Sequence, residues 1–249
     1  MGTFFCDRGY LSFSGVMMPY WEQTGGNAGK KGDLYRMKRK KHLILGTVLL
    51  LCFIVFTLLV RMVDVQPVGP EGTPVGFAAF NGWVHERIGV HLWWYDLTDW
   101  LGLLFVTVGF GFAGIGAVQL FKRHNIWKVD REILWLGVLY IMMGMCYILF
   151  EKFPVNYRPV ILDNSLKSSY PSSHTILSVC VMLTAILQFK RLLQERKKLQ
   201  RWAMSVCGIL LIITVMGRMI AGVHWATDIL GGMLLALALV ELYRGVTEE

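Results

Sequence analysis

Long apolar runs alternate with short polar or basic segments over most of the chain. The apolar runs cover residues 43–60, 101–121, 133–150, 175–189, 203–216 and 226–242. Apolar runs that approach a length of roughly 20 residues are typical of membrane-spanning α-helices. The pattern therefore predicts an all-α fold, a polytopic membrane helical bundle with six transmembrane helices.

The basic residues predict how this bundle is oriented. They concentrate before the first run at residues 38–41, between the second and third runs at 122–131, and between the fourth and fifth runs at 190–201. Basic loops of membrane proteins stay on the cytoplasmic side. We therefore expect a multi-pass protein of a bacterial plasma membrane, with both termini cytoplasmic and the polar segments at 151–174 and 217–225 on the non-cytoplasmic face.

Two stretches lie outside these runs. Residues 1–36 are Gly-rich, have no helical or strand period and lack the apolar core of a signal peptide. We expect them to form a disordered, dispensable tail, which an over-extended translation start would explain, and residues 37–249 to form the membrane domain. Residues 61–99 are interpreted as a long connection that ends in an interfacial aromatic belt.

Composition and charge exclude several classes of function. The chain is 55% hydrophobic with a net charge of +8, but its bases flank the apolar runs, so we expect no nucleic-acid partner. The five cysteines show neither paired spacing nor a CxxC motif, so no disulfide framework or zinc site is expected. The glycines at 109–116 follow no strand and are interpreted as helix-packing positions. We expect neither a metal nor another cofactor, and the oligomeric state stays open.

Polar residues that border the last two runs form a first candidate site. His224 and Asp228 are four residues apart, so a helix that starts near His224 would let the carboxylate hold the imidazole. An oriented imidazole is a nucleophile or a general base, and Arg218 can bind the anion that it attacks. A satisfied histidine at a helix end is the alternative for this cluster taken alone.

A second cluster precedes the fourth run. Pro171 followed by Ser172 and Ser173 at a helix start offers backbone N–H groups, hydroxyls and a positive dipole end, which suit an anion. His174 can exchange a proton beside that anion, and Arg158 adds a planar cation suited to phosphate oxygens.

These clusters resemble the three signature motifs of the type-2 phosphatidic acid phosphatase superfamily, membrane lipid phosphatases related to vanadium haloperoxidases. The matching residues are Arg158-Pro159, Pro171-Ser172-Ser173-His174, and Arg218, His224 and Asp228 at the family's spacing. The resemblance extends over residues 43–242. It implies that His224 forms a phosphohistidine, that Asp228 fixes its tautomer, and that His174 protonates the leaving oxygen and then activates water. The phosphate would be bound by Arg158, Arg218, Ser172 and Ser173 without a metal.

The sequence departs from the family pattern at three positions. Ser173 stands where the family commonly has glycine, and serine is still small enough for a tight turn. Glu151 stands where the first motif has lysine, so Lys152 is the expected phosphate-binding lysine and Lys167 is the alternative. Gly217 replaces the serine that the family carries before Arg218, which removes one hydroxyl from the phosphate site.

The resemblance implies an integral-membrane phosphatase that hydrolyses a lipid phosphate or pyrophosphate. Undecaprenyl pyrophosphate, phosphatidylglycerophosphate and phosphatidic acid all fit such a site, and the sequence does not choose between them. The alternative is a non-catalytic lipid- or anion-binding membrane protein on the same scaffold, which Glu151 and Gly217 favour.

Overall fold

The computed structural model describes residues 20–162 and 164–248, with side chains from residue 32 onward. Within these residues the chain forms seven α-helices and no β-strand: α1 (Tyr20–Met62), α2 (Ala78–Ile88), α3 (Leu92–Arg123), α4 (Arg131–Lys152), α5 (Ser173–Leu192), α6 (Lys197–Ile220) and α7 (Ala226–Thr247). Six of them, all except α2, are long and apolar enough to cross a membrane. The predicted all-α membrane bundle with six spans is confirmed.

The helices extend beyond the predicted runs at two places. Helix α3 begins at Leu92, so residues 92–99 are its first two turns, where the sequence analysis expected a connection. Helix α1 begins at Tyr20, although the tail was expected to be disordered up to residue 36. Extending a helix that already exists costs little compared with starting one, which explains both extensions. Residues 1–19 lie outside the described part of the chain.

Helices α5 and α7 form the centre of the bundle. In each of them 56% of the most apolar stretch is buried within the protein, compared with 17–22% in the other four spanning helices. Helix α1 packs along α7, and glycines permit the close approach. A Cβ added at Gly46 would lie 2.8 Å from Leu242, and one added at Gly245 would lie 2.6 Å from Leu43. Small residues of this kind let spanning helices pack backbone to backbone.

The two basic loops meet at one end of the bundle. Arg123, at the end of α3, and Arg191, at the end of α5, each contact a carboxylate oxygen of Asp130 at 2.9 Å. The polar clusters lie at the opposite end, where α5 and α7 begin. Helix α2 packs there, and its Asn81 donates a hydrogen bond of 2.9 Å to the Thr227 hydroxyl in the first turn of α7.

Candidate active site

The three polar clusters meet around one cavity at the end of the bundle where α5 and α7 begin. The cavity has a volume of about 310 Å³ and is lined by side chains that include Glu151, Arg158, Lys167, Ser173, His174 and His224. Backbone contacts tie the clusters together. The amide of Ser172 donates to the carbonyl of Asp228 at 3.0 Å, and the Trp225 indole donates to the carbonyl of Tyr157 at 2.7 Å.

His224 has the geometry of a nucleophile. Its Nδ1 lies 3.1 Å from the backbone carbonyl of Ser169. A carbonyl only accepts hydrogen bonds, so Nδ1 carries the proton and Nε2 has a free lone pair. Nε2 is buried and has no hydrogen-bond partner. Burial, followed by the positive charges of Arg218 and Arg158, lowers the pKa of His224 well below its ordinary value, which keeps the imidazole neutral.

Asp228 holds His224 less directly than the sequence suggested. Its Oδ2 lies 3.7 Å from His224 Nδ1, beyond hydrogen-bond distance. The carboxylate instead accepts hydrogen bonds from the Trp225 amide at 2.9 Å and from the Asn156 side chain at 3.2 Å. The expected shared face does not form because α7 begins at Ala226, so His224 precedes the helix. Asp228 therefore lies behind the imidazole without a direct hydrogen bond to it, while the Ser169 carbonyl sets the tautomer.

Two arginines bring unpaired donors to this site. Arg218 is fully buried, and its Nη2 donates to His174 Nδ1 at 2.7 Å, while its Nε has no partner. The Nε and Nη1 atoms of Arg158 are likewise buried without hydrogen-bond partners. Buried charged donors without acceptors are costly, so the arrangement favours an anion that would satisfy both side chains.

The start of α5 separates the two predicted serine ligands. Ser173 lines the cavity. Ser172 is fully buried, and its hydroxyl accepts a hydrogen bond from Thr175 at 3.1 Å, so the structure does not place it on the cavity. The first helical hydrogen bond runs from the Ile176 amide to the Ser172 carbonyl, which leaves the amides of residues 173–175 without helical acceptors. These amides suit a phosphate group.

The two candidate lysines lie in different places. Lys152 lines a separate apolar hollow on α4, with its Nζ 5.8 Å from the centre of the Phe153 ring. Lys167 lines the cavity, and its carbonyl accepts a hydrogen bond of 3.0 Å from the Arg158 amide. The structure therefore brings Lys167 to the other candidate residues and leaves Lys152 outside. Glu151 also lines the cavity, so the family's lysine position carries a negative charge here.

The first turns of α3 form a wall of the site that sequence reasoning missed. Thr98 accepts a hydrogen bond of 3.0 Å from Arg218 Nη1. The Tyr95 ring lies beside both arginines, with its centre 5.0 Å from Arg218 Cζ and 5.9 Å from Arg158 Cζ. The remaining polar residue of this wall is Asp99, whose carboxylate reaches His174 and Arg218. The only available signal was the presence of Thr98 and Asp99 within an aromatic segment.

The same wall explains why position 217 is a glycine and not the serine of the family pattern. A Cβ at this position would lie 2.7 Å from Thr98 and 2.9 Å from the Trp94 ring. The serine of the family pattern would therefore not fit unless α3 moved. The Thr98 hydroxyl, which contacts Arg218, supplies a hydroxyl on this side of the arginine.

Comparisons with known proteins agree with the motifs. The family model described as the PAP2 superfamily matches residues 146–248. This part of the chain carries Arg158, His174, Arg218 and His224. The predicted resemblance to that superfamily is therefore confirmed.

A sequence match and a structural match both come from Bacillus subtilis. Phosphatidylglycerophosphatase B is 26% identical over 135 residues, which are 54% of this chain and 65% of that protein's length. The second is described as the crystal structure of the first transmembrane PAP2 type phosphatidylglycerolphosphate phosphatase. The two folds match with a TM-score of 0.58 over 81% of this chain and 94% of that chain, at 19% identity. This likeness confirms the fold of an integral, multi-pass membrane protein.

Proposed function

We propose that this protein is an integral-membrane phosphatase that hydrolyses a lipid phosphate or pyrophosphate through a phosphohistidine intermediate. One observation carries the proposal: His224, with its unpartnered Nε2, and Arg158, with its unpartnered donors, line one cavity, and Arg218, whose Nε is also unpartnered, contacts His174 on the wall of that cavity. A nucleophile beside unpaired cationic donors suits phosphoryl transfer, in which catalysis rests on positioning and charge stabilisation.

The first step forms the covalent intermediate. His224 Nε2 attacks phosphorus, the bond between phosphorus and the lipid oxygen breaks, and protonated His174 gives its proton to the departing oxygen. The lipid leaves as an alcohol when the substrate is a monoester, or as a lipid monophosphate when it is a pyrophosphate. In the second step neutral His174 takes a proton from water, and the hydroxide attacks the phosphorus of the phosphohistidine. Inorganic phosphate leaves and His224 returns to its starting state.

The cations and amides stabilise the charge that builds up between these steps. Arg158, Arg218 and Lys167 would contact the equatorial oxygens together with the amides at the start of α5. In this arrangement the cationic side chains do the work that a metal ion does in other phosphatases. Ser173 would add a hydroxyl, while Ser172 and Asp228 hold the surrounding backbone in place.

The substrate would reach the cavity with its head group at the interface and its hydrocarbon in the membrane. The relative's name, phosphatidylglycerophosphatase B, favours phosphatidylglycerophosphate among the three lipids considered. The charge of the loops at 122–131 and 190–201 favours a site on the non-cytoplasmic face of a bacterial plasma membrane.

The test is phosphate release from purified protein in detergent. Phosphatidylglycerophosphate, phosphatidic acid and undecaprenyl pyrophosphate are supplied separately, each with EDTA present. We expect release from at least one lipid, inhibition by vanadate, which resembles the trigonal-bipyramidal transition state, and no release by His224→Ala. A strict requirement for Mg²⁺ would refute the proposed mechanism.

A second candidate is a non-catalytic protein that binds a lipid or another anion. The carboxylate of Glu151 on the cavity wall favours it, because it replaces a cation of the family pattern with an anion. Binding of a lipid phosphate without phosphate release, by wild-type protein as well as by His224→Ala, would identify this function.

A further inference from the structure

Asp99 contacts two residues of the proposed site, the general acid His174 and the phosphate-binding residue Arg218. Its Oδ1 is 3.1 Å from His174 Nε2 and 3.1 Å from Arg218 Nη1. The same oxygen is buried and accepts no aligned hydrogen bond, so these are ion-pair contacts that a small rotation of the side chain would turn into hydrogen bonds. No signature motif includes this residue.

The contacts of His174 show which of its nitrogens carries the proton. Arg218 Nη2 lies 2.7 Å from His174 Nδ1. A guanidinium only donates, so Nδ1 accepts and the neutral ring carries its proton on Nε2. Nε2 is also the nitrogen that lies 3.1 Å from Asp99 Oδ1. Helix α3 also approaches here, since a Cβ at Gly102 would lie 3.0 Å from Nε2.

We propose that Asp99 is a positioning residue for His174, which rests on the proposed phosphatase function. Asp99 holds the Nε2–H group and thereby leaves Nδ1 to exchange the proton. When phosphate binds, Arg218 turns its Nη2 from Nδ1 to a phosphate oxygen. Nδ1 then carries the proton that passes to the departing lipid oxygen, and it takes a proton from water in the second step.

The charge of Asp99 has a further consequence for this step. A protonated His174 would stand beside the fully buried Arg218 cation, and two neighbouring cations repel each other. Among the described residues, Asp99 is the carboxylate in contact with both. It therefore stabilises the imidazolium that the first step requires. The two histidines are thus held differently, His224 through Nδ1 by a carbonyl and His174 through Nε2 by a carboxylate.

Three variants of full-length protein test this role. Asp99→Ala removes both the acceptor and the charge, whereas Asp99→Asn keeps an oxygen that can accept from Nε2–H but removes the charge. Asp96→Asn is the matched control, because Asp96 lies one turn earlier on α3 and is exposed. Each variant is purified in detergent, and its thermal unfolding is compared with that of wild type.

With an alkyl lipid phosphate, Asp99→Ala should have a much lower kcat than wild type. The loss should be a large part of the roughly 10²–10⁴-fold rate enhancement that positioned acid catalysis supplies. Asp99→Asn should recover part of this loss, and Asp96→Asn should match wild type. With p-nitrophenyl phosphate, whose leaving group needs little protonation, Asp99→Ala should still form the phosphoenzyme but hydrolyse it slowly.

Two outcomes would overturn the proposal. One is wild-type kcat in both Asp99 variants. The other is an equal loss of phosphoenzyme formation with both substrates accompanied by a raised KM, which would show that Asp99 serves phosphate binding through Arg218. If wild-type protein released no phosphate from any lipid, the proposed phosphatase function itself would be wrong.

Discussion

At the scale of single residues, the two histidines differ in what holds them, and they should fail in different ways. His224→Ala should abolish both phosphoenzyme formation and turnover, because it removes the atom that we propose to bond to phosphorus. His174→Ala should still form the phosphoenzyme from p-nitrophenyl phosphate. It should then accumulate the intermediate, because water attack lacks its base. With an alkyl lipid phosphate it should lose roughly 10²–10⁴-fold in rate.

The measurement is trapping of phosphohistidine at neutral to alkaline pH, together with the initial burst of p-nitrophenolate. Wild-type protein, which should turn over without accumulating the intermediate, is the reference. Trapping of phosphohistidine in His224→Ala but not in His174→Ala would reverse the two roles.

The two lysines give a second prediction at this scale. Lys167 lines the cavity, whereas Lys152 lines an apolar hollow outside it. Lys167→Ala should therefore lower kcat/KM by roughly 10- to 100-fold, since a hydrogen bond to a charged group is worth about 1.5–3 kcal/mol. Lys152→Ala, the control for a lost surface charge, should stay near wild type in the same lipid phosphatase assay. A larger loss in Lys152→Ala would return the phosphate-binding role to Lys152.

The sequence identified the residues whose chemistry is visible in their type and spacing. Arg158, His174, Arg218 and His224 were predicted in this way, and all four lie together in the structure. The Ser169 carbonyl that contacts His224 could not be predicted, because every residue has a carbonyl and only the fold selects one. Ser172 was predicted as a ligand from its type. Its hydroxyl instead accepts a hydrogen bond from nearby Thr175, and its amide contacts the carbonyl of Asp228, a residue distant in sequence.

At the scale of helices, α3 shows where the pattern of apolar residues is insufficient. Its first two turns are rich in Trp and contain Thr98 and Asp99, so they resemble an interfacial segment more than a spanning helix. Their role is visible only once α6 packs against them, with Arg218 bonded to Thr98. Arg218 and Thr98 are 120 positions apart, so their contact produces no periodic pattern in the sequence.

The contact between α3 and α6 predicts the effect of enlarging Gly217. Gly217→Ala should destabilise the protein by about 1–3 kcal/mol, the usual cost of overpacking, because its Cβ would meet Thr98 and Trp94. Gly208→Ala on the same helix is the control, since a Cβ there has no neighbour within 4 Å. Thermal unfolding in detergent should separate the two variants, with Gly208→Ala at or above wild type. Equal stability would mean that α3 moves aside without cost.

At the scale of the whole molecule, alternation of apolar and basic segments was enough to predict six spanning helices. It did not predict that α5 and α7 form the centre, because both read as ordinary apolar runs. Ser173 and His174 lie in the first turn of α5, and His224 lies two residues before α7 begins, so the best-packed helices position the site. The glycines of α7 and the small residues of both helices allow this packing, but composition alone does not say which helices use such residues.

The orientation of the molecule is the remaining prediction at this scale. Ser165 is exposed in the segment between α4 and α5, and Gln194 is exposed between α5 and α6. One spanning helix separates them, so they must lie on opposite sides of the membrane. Because Gln194 belongs to the basic loop at 190–201, we expect Ser165 and the active site on the non-cytoplasmic side.

Single cysteines at these two positions, on a background without the native cysteines, provide the measurement. A membrane-impermeant maleimide applied to intact cells should label Ser165→Cys and should label Gln194→Cys only after permeabilisation. Each variant is the control for the other, because only Ser165→Cys should be labelled in intact cells. The reverse labelling pattern would place the site in the cytoplasm, where it would act on lipid phosphates of the inner leaflet. Labelling of both variants in intact cells would mean that α5 does not cross the membrane, against the six-span bundle.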